Sequence, residues 1–316
     1  MKKPGINNRG GTMEKLKLLK GDCLELLPKI PEKSVDLILC DLPYGTTLKN
    51  WDETLPMNDY VEIHFDTKHK NKQCQKMTKE KYLLYAYKSG IPYKDALRYF
   101  ETNKRSGLWT LYEHCLKTNG VVCLFGQEPF STYIRNSNKD FYQYDIYWEK
   151  ERLTNVFQIK NRVGKTVETI SVFFKNSNST YNPQMTKFEG KKRRNTVKNG
   201  TLGDLVDNKN KKVIPYTDIG IRYPTQVWKY PREFLKEEHA DTQKPIELVK
   251  KLILTFSNEN DIVLDNTMGW GTTGRACIQT NRSFIGIEKD EIAFSHAVEK
   301  IQNEQNNTEN LYYKSA

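Results

Sequence analysis

The 316-residue chain contains no run of eighteen or more apolar residues, about the length a membrane-spanning helix requires. It also lacks a secretory opening with an apolar h-region. Residues 1–12 are polar and glycine-rich and read as a disordered leader, with Met13 as an alternative start. Six cysteines (Cys23, Cys40, Cys74, Cys115, Cys123, Cys277) form no CxxC pair and no metal-type spacing with the five histidines. That pattern excludes a disulfide or zinc framework of the familiar kinds and implies free thiols in a reducing cytoplasm, with no metal. No internal repeat is found, and Thr272-Thr273, which follow Gly271, are not the Lys-Ser/Thr of a phosphate loop.

What is present is charge. Lys and Arg outnumber Asp and Glu by 50 to 39, a formal +11. The excess favours a polyanionic partner, because neutralised phosphates release counterions; an ordinary basic surface is the plain alternative. Hydrophobic residues make up 37% and the mean hydropathy is −0.74, so part of the chain must be polar, exposed insertion.

The apolar segments alternate between strand and helix. Residues 15–20 read as a strand ending at Gly21-Asp22, and 23–30 as a short helix. Val35–Cys40 (VDLILC) is an apolar run broken only by Asp36, as expected of a strand covered on both faces. It ends in Asp41-Leu42-Pro43-Tyr44. Residues 60–107 differ in composition, rich in Lys and Tyr, with two short amphipathic stretches; they read as an insertion. Residues 108–116 predict a helix, 121–125 a buried strand, and 142–148 with 169–174 half-buried antiparallel strands. Periodicity then weakens until 242–256, a helix with Pro245 in its first turn. A strand at 262–264, a helix at 272–279, a strand at 284–287 and a last helix at 291–302 follow. Such alternation predicts a doubly wound α/β fold with a mostly parallel sheet, whose ligands bind at the carboxyl ends of the strands. Asp22, Asp41–Gly45, Asp265–Gly274 and Glu288 all fall at such ends.

Two of these loops carry chemistry. Asp265–Gly274 is a strand–glycine loop–helix in which Gly269 and Gly271 permit close backbone approach to a ligand. An acid at the end of the next strand, Glu288, suits ribose hydroxyls. Taken alone, the loop fits a nucleoside, a dinucleotide or a structural turn. In Asp41-Leu42-Pro43-Tyr44, the Asp41 carboxylate and the Leu42 carbonyl can accept the two hydrogens of an exocyclic amino group. Pro43 would fix the turn and Tyr44 would stack on the base. Out of context the same tetrapeptide is a turn with a buried tyrosine.

Together, in this order, the loops resemble the amino-methyltransferases of the β group, whose Asp/Ser-Pro-Pro-Tyr motif precedes the cofactor loop. The stretches that carry the resemblance are 16–52, 116–130, 144–150 and 242–301, about half the chain. The resemblance implies a seven-stranded, circularly permuted methyltransferase-type sheet with an inserted DNA-recognition region. Its implied organisation is 13–174 (with insertion 60–107), a target-recognition region at 175–236, and a cofactor-binding part at 237–316. It implies an S-adenosylmethionine site of Asp265, Asn266, Gly269, Gly271 and Thr272, with Glu288 on the ribose and Asp22 on the adenine. The run Thr242-Gln243-Lys244-Pro245 matches a helix start where backbone amides and Lys244 meet the methionine carboxylate. Asp41, Leu42, Pro43 and Tyr44 become the catalytic motif. Lys191, Lys192, Arg193 and Arg194 become phosphate contacts to double-stranded DNA, or else a solvated loop; a homodimer stays open.

Two departures stand out: Leu42 replaces the usual first proline, and Trp270 stands where a small residue is common. Family members with Asp at position 41 mostly methylate adenine N6, whereas Ser there accompanies cytosine N4. No Pro-Cys nucleophile is present, as direct transfer implies. The rival readings are a catalytically inactive DNA-binding protein with this core, a nicotinamide-dependent dehydrogenase, and an RNA amino-methyltransferase.

Overall fold

The computed structural model describes residues 15–45, 52–65, 73–188, 190, 220–233 and 243–315. In chain order the elements are β1 (Leu16–Lys20), α1 (Cys23–Leu26), β2 (Val35–Cys40), β3 (Tyr60–Phe65), β4 (Gln73–Thr78), α2 (Lys79–Lys88), α3 (Tyr93–Asn103), α4 (Leu108–Cys115) and β5 (Leu116–Gly126). There follow α5 (Phe130–Ser137), β6 (Tyr142–Glu149), β7 (Val167–Phe173), β8 (Thr186–Lys187), β9 (Ile221–Arg222), β10 (Val227–Lys229), α6 (Ile246–Phe256), β11 (Ile262–Asp265), α7 (Thr272–Gln279), β12 (Ser283–Glu288) and α8 (Glu291–Ser315).

The main sheet runs β1-β12-β11-β2-β5-β7-β6-β10. Its pairs are parallel from β1 through β5 and between β6 and β10; β7 runs antiparallel to both its neighbours. Every residue of β2 is buried, as its largely apolar run requires of a central strand, and its one charged residue, Asp36, pairs with Lys117. Ile38 and Cys40 enter one core with side chains of α4 and α5, whereas Leu37 and Leu39 enter the other with α6, α7 and α8. Period-two alternation thus feeds two helical layers, one on each face. The expected doubly wound fold is present, with one strand more than the expected seven among the described residues. The additional strand is β10, which lies in the stretch expected to be wholly recognition region.

Between β11 and β2 the connections diverge to opposite sides of the sheet. This is the switch point where open α/β sheets bind ligands. The glycine loop and the DLPY motif leave these two adjacent strands, although they are distant in sequence. Helix α6 starts later than the periodicity suggests: Pro245 is its N-cap, and Ile246 its first helical residue.

Residues 60–107 form a β-hairpin followed by two helices. They have their own small core of Val61, Met77, Tyr82, Ala86, Ala96 and Phe100. The two amphipathic helices were legible; the hairpin was not. Pro183–Thr225 is a separate compact unit, in which β8 and β9 pair antiparallel and the Arg222 guanidinium lies 4.4 Å from the Phe188 ring centre. Lys191, Lys192, Arg193, Arg194 and Thr242, like residues 1–12, lie outside the described residues.

Candidate active site

Strand β11 delivers Asp265 and Asn266 buried at its carboxyl end. The Asp265 carboxylate accepts from Thr273 Oγ1 at 2.7 Å and from the Thr267 amide at 3.1 Å, folding the loop back onto the start of α7. Burial pushes the Asp265 carboxyl up to about 7, and the nearby Asp41 and Glu288 push the same way. Asn266 Oδ1 accepts from Tyr112 Oη at 2.7 Å and from Cys40 Sγ at 2.9 Å, pinning the loop to β2 and α4.

Gly269 and Gly271 both have positive φ, at 50° and 81°. A Cβ on Gly269 would meet nothing within 4 Å, so the loop faces open space there. On Gly271 it would press on Ala297 of α8. Glycine at 269 therefore serves approach from outside, and at 271 close packing within. Thr272 is the first residue of α7. Trp270 does not cover the open side. It stacks on His296 of α8 with ring centres 4.5 Å apart, and the Lys300 ammonium lies 4.9 Å from its ring centre.

Glu288 terminates β12. One carboxylate oxygen accepts the Gly269 amide at 2.9 Å, and the other accepts the Asp290 amide at 2.8 Å. Asp22 caps α1 by accepting from the Leu24 amide at 2.9 Å, and the Gly21 amide bonds the Glu288 carbonyl. The three strand ends are therefore stitched into one rim.

On the other side of the switch point, Asp41 is two-thirds buried. Tyr44 Oη donates to its Oδ1 at 2.6 Å, and the Lys244 ammonium donates to its Oδ2. The Asp41 carbonyl accepts from Thr267 Oγ1 at 3.2 Å, joining the DLPY motif directly to the glycine loop. Leu42, which replaces the usual first proline, is buried in the core. Pro43 is half-buried. Tyr44 stacks on Phe130 at 5.0 Å, and burial, together with the Asp41 charge, raises its hydroxyl well above the usual range.

Sequence reasoning missed what holds Lys244. Glu168, at the start of β7, takes a hydrogen bond from the Lys150 ammonium and another from Gln127 Nε2 at 3.0 Å. Its other oxygen lies 3.8 Å from Lys244 Nζ. Burial alone would lower the Lys244 pKa, but Asp41 and Glu168 raise it above the ordinary lysine value. Burial likewise opposes ionisation of Glu168, and Lys244 and Lys150 overcome it and hold that carboxyl low. The available signal was two charged residues, Lys150 just after β6 and Glu168 at the start of β7, both next to half-buried strands. The first amide of α6, Ile246, is taken by the Glu233 carboxylate at 2.7 Å. The chain's own anion thus holds the helix start that was expected to meet a ligand carboxylate. Gln243 Nε2 is buried without a hydrogen-bond partner among the described residues.

This rim suits a cationic nucleoside such as S-adenosylmethionine. It offers acids (Asp22, Asp265, Glu288), an open approach at Gly269, and an unsatisfied amide donor at Gln243 beside Lys244.

The chain matches the DNA methylase family over residues 35–299. The DNA adenine methyltransferase YhdJ of Escherichia coli K12 is 29% identical over 284 residues, covering 86% of this chain and 77% of that protein. The type II methyltransferase M.HindIII of Haemophilus influenzae is 24% identical, covering 92% and 96%. Among solved structures, the M1.HpyAVI–SAM complex superposes with a TM-score of 0.50 at 19% identity, over 90% of this chain and 98% of that one. The cytosine-N4-specific PvuII DNA methyltransferase gives 0.50 at 15% identity, over 93% of each. With the motif order, the sheet and the family match in agreement, the chain belongs to the N6/N4 DNA methylase family.

Proposed function

We propose that this chain is a site-specific DNA methyltransferase that uses S-adenosylmethionine to methylate N6 of an adenine flipped out of duplex DNA. The observation that carries the reading is the bond from Thr267 of the glycine loop to the Asp41 carbonyl, which fixes a base-binding motif beside a nucleoside-binding rim. The Asp residue at position 41 and the name of the YhdJ relative support adenine over cytosine N4, the alternative.

S-adenosylmethionine supplies a methyl group on a sulfonium, ready for direct transfer. In this reading Glu288 takes the ribose, Asp22 the adenine, and Gln243 with Lys244 the carboxylate end. Asp41 accepts one hydrogen of the target amino group and the Leu42 carbonyl the other, which localises the nitrogen lone pair for attack. Pro43 fixes the turn. Tyr44, backed by Phe130, stacks on the base, an interaction of about 1–3 kcal/mol. Flipping costs a few kcal/mol. Holding the nitrogen in line with the methyl carbon contributes roughly 7–11 kcal/mol of the lowered barrier. The recognition role falls to 175–236, which includes the separate unit Pro183–Thr225, with Lys191–Arg194 on phosphate.

The test is tritiated methyl transfer to unmethylated genomic DNA followed by nucleoside mass spectrometry, with Asp41→Ala as control. A 6-methyladenine peak lost in the variant supports the reading. A 4-methylcytosine peak would overturn the choice of base. Bound cofactor with no methylated DNA would overturn the activity.

A further inference from the structure

The module between Tyr60 and Gly107 is not used by the mechanism above, yet it carries much of the chain's charge. Eleven Lys and Arg stand against five Asp and Glu, so 48 residues hold +6 of the total +11. Among the described residues of the module, Lys76 lies over the Tyr60 ring, 5.9 Å from its centre, and the other basic residues divide into two groups. Lys79 and Lys104 pair with Glu101, Arg105 with Glu62, and Arg98 with Asp95, so these hold the module together. Lys81, Lys88 and Lys94 are exposed and have no acidic partner among the described residues. Lys81 and Lys88 are seven residues apart and share one face of α2. Lys94 lies in the first turn of α3.

Between them the α2–α3 turn is exposed at every residue from Tyr87 to Asp95, with Tyr87 at 80% and Tyr93 at 68%. Its sequence, Tyr-Lys-Ser-Gly-Ile-Pro-Tyr-Lys from Tyr87 to Lys94, contains no acid. Large exposed aromatics interleaved with unpaired lysines, with no acid among them, match a sugar-phosphate backbone.

The module is also rooted beside the catalytic motif. Tyr44 stacks on Phe130, Phe130 meets Tyr133 at 6.1 Å, and Tyr133 Oη accepts the Met57 amide at 3.4 Å. At that neck the Leu108 and Trp109 amides bond the Pro56 and Met57 carbonyls, and the Gly107 amide bonds Asp59 Oδ1. A base bonded to Asp41 and stacked on Tyr44 brings its flanking duplex to this end of the sheet.

We infer that the inserted module is a second DNA-binding element, which grips the phosphate backbone flanking the flipped base through Lys81, Lys88 and Lys94. The inference rests on duplex DNA being the substrate. It assigns to the module sequence-independent affinity and to the three lysines the contacts that provide it.

The test is the salt dependence of binding to a fluorescent duplex, read by anisotropy for the full chain and for the triple variant Lys81→Gln, Lys88→Gln, Lys94→Gln. Lys79→Gln, which removes an internally paired lysine, is the control. Each lost phosphate contact lowers the log–log slope by about 0.9, so the triple variant is expected to lose between 2 and 3 units of slope, roughly. The control is expected to keep the wild-type slope. An unchanged slope in the triple variant, or an equal loss in the control, would overturn the inference. Binding is read without methyl transfer. A wild-type chain that binds duplex but methylates nothing, with the slope still reduced in the triple variant, would therefore overturn the proposed function alone.

Discussion

Lys244 and Asp41, 203 positions apart, form an ion pair at the switch point of the sheet, and Glu168 faces the same ammonium from β7. A single lysine thus stands between the carboxylate assigned to the target base and a buried carboxylate of the scaffold. Its position sets the charge around Asp41.

Asp41→Asn is expected to lower the methyl-transfer rate by about 10²–10³-fold, the scale for losing one aligned polar group in an active site. Tyr44 Oη would keep a partner in the amide oxygen, so the fold is expected to survive. Single-turnover kinetics with saturating cofactor measures the effect; a rate within threefold of wild type would remove Asp41 from the mechanism.

Glu168→Gln leaves Lys150 and Lys244 without the buried carboxylate between them. Removing one member of a buried pair costs about 3–5 kcal/mol. Adding Lys150→Met to Glu168→Gln removes the second charge as well and is expected to recover part of that loss. Urea denaturation of the single and double variants decides it; a double variant no more stable than Glu168→Gln would show that the pair is not coupled.

Asp265 titrates near 7 in the folded chain, against about 3.9 when unfolded. The folded state therefore binds the extra proton between these values. Stability is greatest at the acid end of that window and declines as pH rises from about 4 to 7, by up to about 1.4 kcal/mol per pH unit. Asp265→Asn is expected to flatten this dependence. A cationic ligand beside the carboxyl lowers its pKa, so S-adenosylmethionine affinity in the wild type is expected to rise through pH 7. Calorimetric titration at several pH values checks the second outcome, and a pH-independent affinity would contradict it.

Gly271→Val combines a left-handed backbone conformation, costing roughly 1–2 kcal/mol for an L-residue, with a Cβ 3.2 Å from the Ala297 backbone. A lower melting temperature and weaker cofactor binding are expected together. Trp270→Ala breaks the contact with His296 and Lys300, so it is expected to loosen α8 while leaving cofactor affinity nearly unchanged. A tenfold loss of affinity in Trp270→Ala would instead place the indole on the cofactor.

Much of the scaffold was legible because its cause is local. Val35–Cys40 is apolar at every position but Asp36, whose buried carboxylate is taken by Lys117 and the Ile262 amide, since both faces of a central parallel strand are covered, and the loops at Asp41 and Asp265 follow where such strands end. The β3–β4 hairpin was not legible. Gln73–Thr78 is polar and poor in β-branched residues, and a two-stranded hairpin is marginal by itself. It is held by packing of Val61 and Met77 against Tyr82, Ala86 and Phe100.

The sequence by itself determined the alternation of strands and helices, the placing of acids and glycines at strand ends, and the family. Each of these is written in residue spacing over short stretches of chain. Tertiary structure alone decided that Lys150, Glu168, Lys244 and Asp41 meet, that Trp270 turns to α8, and that the inserted module stands beside the catalytic motif. Those contacts depend on the order in which strands pair and on which buried charges must find partners. Residues 203 positions apart become neighbours only when β11 lies against β2.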